Sequence, residues 1–331
     1  MKKLIILFFI LVSCNGIKHT KPTIKKNQFV VSVNGNLSIQ GRNIVNEKGE
    51  NVSFAGNSFF WSNDYYKGDS FYNKEVVAWL KKDWKTTIIR IPVAADPDIH
   101  DSYIFEPKSN MDKLEIMIQA AIDNDVYIIV DWHTQKAEQH EKEAILFFKE
   151  IATKYGKYPN IIYEIYNEPL KISWTDSIKP YAINVITEIR KIDPDNIIVV
   201  GTPHWSQDVD VVAQDPIIGF KNIAYTLHFY AGSHHKWLLD KAQKAIDLNL
   251  PIIVTEWGTV NADGDGDINY EWVAKWMEFM KANNLTHCNW SVHDKAEGAS
   301  ILQHQANVYG NWGEDDLTET GKLTKSYILN W

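Results

Sequence analysis

The chain has 331 residues, 45% hydrophobic and 23% charged, the composition of a globular protein with material for one large domain or two small ones. A formal net charge of −8 at pH 7 provides no basic field for phosphates, which excludes nucleic acid as the expected partner and favours a neutral one. Its 13 Trp residues offer flat apolar faces on which core neighbours, bases or sugar rings can stack.

In chain order, Lys2 and Lys3 precede the apolar run Leu4 to Val12 and the small residue Ser13, the layout of an export signal over residues 1–13. Nine apolar residues are too few to span a bilayer. Leu11-Val12-Ser13-Cys14 resembles the bacterial lipobox, which implies cleavage before Cys14, lipidation of its thiol and a lipoprotein held on the cell envelope; a plain secretory signal is the alternative. Loss of residues 1–13 removes two lysines, lowering the formal charge by two, and leaves Cys288 as the remaining free thiol. Without an intramolecular disulfide, an exported chain draws its stability from a large core. Residues 14–28 are polar and basic, carry Pro22 and lack hydrophobic periodicity, and so read as a tether. One domain is expected over 29–331, as a monomer.

Phe29 to Val33 and Leu37 to Gln40 flank Asn34-Gly35-Asn36, a hairpin signal that predicts a small β-cap ahead of the main fold. Apolar β-rich runs then recur at Asn51–Phe59, Thr86–Val93, Tyr127–His133, Asn160–Asn167, Asn196–Pro203, Ile223–Tyr230, Pro251–Gly258 and Thr286–His293. Cores such as Ile197-Ile198-Val199-Val200 read as strands buried on both faces of a parallel sheet. Between them lie amphipathic stretches at Met111–Asn124, Glu141–Tyr155 and Tyr270–Asn283. Eight β-then-α units with no linker-like break predict one α/β fold, a closed (β/α)8 TIM barrel.

Polar residues gather where these runs end, the face on which such a barrel builds its site. Arg90 closes the second run, Asp131-Trp132-His133 the third, Asn167-Glu168-Pro169 the fourth, His228-Phe229-Tyr230 the sixth, Glu256-Trp257-Gly258 the seventh and Trp290 the eighth. A carboxylate pair from strands four and seven, expected across the barrel from each other, could flank one glycosidic bond, one group protonating the leaving oxygen while the other attacks or activates water.

Ile161-Ile162-Tyr163-Glu164-Ile165-Tyr166-Asn167-Glu168-Pro169 resembles the signature of the family-5 glycoside hydrolases, the cellulase group. Also similar are Ile89-Arg90-Ile91-Pro92, Asp131-Trp132-His133, the stretch from Gly201 to Val209, His228-Phe229-Tyr230-Ala231-Gly232 and Thr255-Glu256-Trp257-Gly258. The resemblance implies a retaining endo-β-1,4-glucanase with Glu168 as acid/base and Glu256 as nucleophile, working without a cofactor on a β-1,4-linked glucan. It makes Arg90 and Tyr230 donors to Glu256, Asn167 a ligand of the sugar 2-hydroxyl, and His133 and His228 orienting groups. Trp205 and Trp290 become stacking platforms, with Lys295 and Glu297 binding hydroxyls farther along the cleft and Trp61 at its end. Beside a second carboxylate, Glu168 is expected to hold its proton to higher pH.

The chain departs from the family at Gly56-Asn57-Ser58-Phe59-Phe60-Trp61, which lacks a His found in other members, and at Ile301 to Asn307, which lacks a small Gly-containing ending. A mannanase, xyloglucanase or mixed-linkage glucanase would keep both glutamates and alter the cleft; a retired glycan-binding barrel would have no reason to keep them. Asp263-Gly264-Asp265-Gly266-Asp267 resembles the start of a calcium loop, but the twelfth position is Ala274 where an EF-hand needs Glu; a solvated acidic loop is expected. Adjacent His234 and His235 do not form the i, i+4 pair of a helical zinc site. No catalytic metal is expected.

Overall fold

The computed structural model describes residues 30–64 and 66–331; the signal segment, Cys14, the tether and Phe29 lie outside the described residues. Among the described residues ten strands form: β1 Ser38–Gln40, β2 Asn43–Val45, β3 Ala55–Phe59, β4 Ile88–Ala94, β5 Tyr127–His133, β6 Ile161–Glu164, β7 Ile198–Val200, β8 Ile223–Tyr230, β9 Ile252–Gly258 and β10 His287–Val292. From β3 to β10 each strand pairs in parallel with the next, and β10 returns to β3, closing an eight-stranded barrel. Helices such as Pro107–Asp123, Glu141–Tyr155, Lys179–Arg190, Lys236–Asp247 and Tyr270–Ala282 return the chain between strands, as a (β/α)8 barrel requires. Pro107 starts its helix where the missing N–H costs nothing, and Asn269 caps the last of these by accepting the Trp272 N–H.

The period-2 alternation of the strands builds two layers inside the barrel. Ile88, Ile129, Ile162, Val199, Ala224, Ile253 and Cys288 form a buried apolar plug toward the N-terminal ends. Two residues farther along, Arg90, Asp131, Glu164, Thr226 and Thr255 form a polar layer, and each of them is buried. The intervening residues, among them Ile89, Ile128, Tyr163, Ile198, Tyr225 and Val254, face outward into the main core with the helices. Arg90 therefore sits inside the barrel, because β4 continues to Ala94, and not at a strand end.

Two further expectations shift. The N-terminal hairpin forms, but between Ser38–Gln40 and Asn43–Val45. Asn34-Gly35 instead ends a helical turn, Val31–Asn34: the Gly35 N–H bonds the Val31 carbonyl at a φ of 64°, and Asn34 Nδ2 donates to the Val30 carbonyl. This sequence serves as a C-cap, and Gly41, at φ 59°, opens the hairpin loop. Around the ring β6 and β9 are three places apart, with β7 and β8 between them; the strand opposite β6 is β10.

Candidate active site

Arg90, fully buried on β4, organises the polar layer. Its Nε donates to Glu164 Oε2 at 2.7 Å, Nη1 to Glu256 Oε2 at 2.9 Å and Nη2 to Asn167 Oδ1 at 2.7 Å, and Nη2 lies 2.9 Å from Asp131 Oδ2. Burial works against its charge, yet Asp131, Glu164 and Glu256 outweigh it and hold the guanidinium's pKa well above its usual value. A charge so far from water persists because every face of the fork is paired. With Asn167 Oδ1 taken, the amide N–H2 is what remains for a ligand.

Glu256, near the end of β9, receives Arg90 on one oxygen and the Tyr230 hydroxyl, 2.6 Å away, on the other. Burial and the Glu256 charge push the Tyr230 phenol well above its usual pKa, so it stays a donor. Glu168 lies four residues past the end of β6, and one of its carboxylate oxygens comes within 4.8 Å of one from Glu256.

Hydrogen-bond valence then locates a proton. Thr255 has one hydroxyl hydrogen, donated to Glu164 Oε1 at 2.6 Å, so it accepts from His228 Nε2 at 2.9 Å. The other ring nitrogen, Nδ1, is 2.9 Å from Glu168 Oε1, and a second proton shared there makes Glu168 and His228 one titrating pair. Burial disfavours the His228 cation, but Glu256, Glu164 and Glu168 outweigh it and raise the ring to about 9. For Glu168 burial pulls upward, while the hydrogen bond and charge of His228, then its electrostatic interactions with His133 and Arg90, bring it below the ordinary glutamate value. The expectation that Glu168 itself keeps its proton to higher pH is thus reversed, because His228 holds that proton for it.

His133 Nδ1 sits 2.6 Å from Asp131 Oδ2. Burial and the neighbouring Arg90 lower His133 to about 4, while burial raises Asp131 well above the carboxylate range despite Arg90. The neutral His133 ring stacks on Trp290, with centroids 5.6 Å apart and planes 8° from parallel.

Residues 45–296 match the family described as Cellulase (glycosyl hydrolase family 5). This chain belongs to glycosyl hydrolase family 5. It is 50% identical over 301 residues to Endoglucanase Z of Dickeya dadantii and 37% identical over 310 residues to an endoglucanase of Clostridium saccharobutylicum, matches that take in 91% and 92% of this chain. They span 66% and 68% of those relatives, so the chain corresponds to about two thirds of their length. Among solved structures it resembles one from Cytophaga hutchinsonii, at TM-score 0.87 and 44% identity over 91% of this chain and 96% of that one. It also resembles the catalytic domain of a Thermobifida fusca endoglucanase, at TM-score 0.84 and 30% identity over 90% and 98%.

In this family-5 barrel two lobes of an open cleft meet at the glutamates. The first, about 380 Å3, holds Asn167, Glu256 and Trp290 and runs to Trp61, Lys295 and Glu297. The second, about 610 Å3, is lined by His228, His204, Trp205, His234 and Trp237. Glu168, Tyr230, Gln135 and Asp263 line both. Every site residue expected within the described part of the chain therefore lines the cleft or, for Arg90, braces the layer beneath it. Lys295 and Glu297 pair with each other, and the Lys295 ammonium lies 4.3 Å from the Tyr66 ring centre.

Sequence reasoning gave no role to Glu164 and Asp131, although both follow an inward Ile by two residues, nor to Thr255, Gln135 or Trp237. The acidic loop is exposed as expected, but it also forms cleft wall. Asp263 Oδ1 accepts the Asp265 N–H, while Asp265 Oδ1 accepts those of Gly266 and Gly298. Glu168, His228 and Glu256 each present one ligand atom within 4.8 Å of the others, the arrangement among the described residues that could hold a cation. His228 is unsuited to it while both ring nitrogens carry hydrogen bonds.

Trp205 stands on a strained turn. His204, Trp205 and Ser206 have φ of 61°, 55° and 56°, a left-handed conformation that costs energy for residues other than glycine. Trp205 N–H bonds the Pro169 carbonyl at 2.7 Å and Ser206 Oγ donates to the Asn167 carbonyl at 2.7 Å, which locks the indole to the segment bearing Glu168.

Proposed function

We propose that the protein is an endo-β-1,4-glucanase that cleaves its glucan with retention of configuration. The observation that carries this reading is the placement of two carboxylates with oxygens within 4.8 Å of each other at the junction of two aromatic-lined lobes of one open cleft. Retaining enzymes place their carboxyls about 5 to 5.5 Å apart, whereas inverting enzymes need about 6.5 to 9.5 Å to admit a water.

In the first step Glu256 attacks the anomeric carbon, the bond to the glycosidic oxygen breaks, and Glu168 gives that oxygen the proton it shares with His228. In the second, Glu168 takes a proton from water, whose oxygen displaces Glu256 from the anomeric carbon. The substrate, water and two carboxyls supply every proton and electron pair in both steps. Arg90 and Tyr230 hold Glu256 in line, and the Asn167 amide donates to the 2-hydroxyl as charge develops on the ring.

The roles also set the chain's direction. The lobe with Glu256, Asn167 and Trp290 takes the sugar that becomes covalently bound, and the Trp205 lobe takes the leaving chain. The names of the endoglucanase relatives support a β-1,4-glucan, as does the cellotetraose in a variant of the Thermobifida enzyme that is 29% identical to this chain. We further propose export and attachment to the cell envelope through a lipid on Cys14, with the tether carrying the catalytic domain. NMR of early products from cellopentaose is the test: the β-anomer is expected, and the α-anomer would remove the nucleophile role from Glu256. Hydrolysis of mannan or xyloglucan in preference to cellulose would change the substrate while leaving the mechanism standing.

A further inference from the structure

The leaving-chain lobe is the larger of the two, about 610 Å3 against about 380 Å3, and it holds a second indole beyond Trp205. Trp237, in the first turn of the helix Lys236–Asp247 that follows β8, is 44% exposed although it lines this lobe. It therefore adds a second accessible indole to the lining of that lobe.

The two indoles have matching supports. Lys171 Nζ lies 5.7 Å from the Trp205 ring and Lys241 Nζ 5.4 Å from that of Trp237. A histidine ring adjoins each, His204 at 5.1 Å from Trp205 and His234 at 5.6 Å from Trp237. Asp208 joins the supports, with Oδ1 at 2.5 Å from Lys241 Nζ and 3.7 Å from His204 Nδ1. His234 is in turn fixed by accepting the Tyr230 N–H on Nδ1 at 2.8 Å. A lysine cation within about 6 Å of an indole centroid is attracted to the ring's electron-rich face. Both indoles line this one lobe, and an indole face suits a pyranose ring, whose axial C–H groups form an apolar face.

We propose that Trp237 is a second sugar platform on the leaving side, outside Trp205, so that the enzyme grips at least two glucose units beyond the cleavage point. This rests on the endoglucanase reading above. It predicts a choice of bond: a five-sugar chain should be cut where two or more units fill the leaving lobe.

The test uses the whole protein with cellopentaose labelled at its reducing end, comparing Trp237→Ala and Trp237→Phe with wild type by mass spectrometry of the products. For Trp237→Ala, kcat/KM on cellopentaose should fall about five- to tenfold, mainly through KM, as for loss of one stacking face. The cut should also move toward the bond that leaves a single unit on that side. Trp237→Phe keeps a ring and should recover most of both effects. An aryl cellobioside, whose leaving group extends no farther than Trp205, should lose less. If Trp237→Ala cuts cellopentaose with wild-type bond frequencies and KM, the platform is refuted. If wild type fails to cut cellopentaose at all, the endoglucanase reading falls instead.

Discussion

Replacing His228 with Asn should separate the storage of the catalytic proton from its delivery. The Asn amide can still donate to Glu168 Oε1 in place of Nδ1, but it has no proton to release. In wild type the Glu168–His228 pair holds its shared proton until the ring titrates at about 9, so the alkaline limb of kcat/KM should lie near that pH. In His228→Asn the proton must reside on Glu168 alone. Burial lifts that carboxyl above the ordinary glutamate value of about 4.3, so the limb should move to lower pH, by less than the full interval between about 9 and that value. Stability follows with a definite sign. Relative to an unfolded histidine at about 6.5, a folded value of about 9 is worth about 3 kcal/mol. Because the folded value is raised, that contribution is complete below pH 6.5 and disappears as pH rises through 9. Urea unfolding at pH 6 and pH 10 should therefore show wild type losing about 3 kcal/mol more than the variant. Superimposable alkaline limbs in the two proteins would refute the shared-proton account.

Three other outcomes are expected. With azide and an activated aryl cellobioside, Glu168→Ala should yield the β-glycosyl azide after two inversions and Glu256→Ala the α-azide after one; the opposite products would exchange the two roles. Arg90→Met leaves Asp131, Glu164 and Glu256 without their shared cation and should lower unfolding free energy by about 3–5 kcal/mol, measured with urea, whereas a loss below about 1 kcal/mol would mean the acids are neutral without it. Cys14→Ser should abolish partition of the exported protein into detergent, and partition unchanged by the substitution would remove the lipid anchor.

What the amino-acid sequence determined by itself was the repeating architecture and which two glutamates to propose as the reacting pair. Eight Ile/Val-rich runs separated by helix-length segments admit few folds, and Asn167-Glu168-Pro169 and Thr255-Glu256-Trp257-Gly258 stand at their ends. Only the tertiary structure decided how those glutamates are tuned. Arg90 and Glu256 are 166 residues apart, and Arg90 and Glu164 are 74 apart. Such contacts depend on strand register around a closed ring, where a slip of one residue would turn every inward side chain outward. The spacing from Ile88 to Arg90, Ile129 to Asp131 and Ile162 to Glu164 was present in the chain, but it became an apolar floor beneath a polar layer only once the strands were paired. The proton shared by His228 and Glu168 escaped local reading for the same reason, since it depends on Thr255 and Glu164 from two other strands. Loops were the least legible part. Asp263 sits in a loop with no period to read and Trp237 in the first turn of the helix after β8, and they reach the cleft because barrel closure brings the segments after β8 and β9 to the same rim as Glu168.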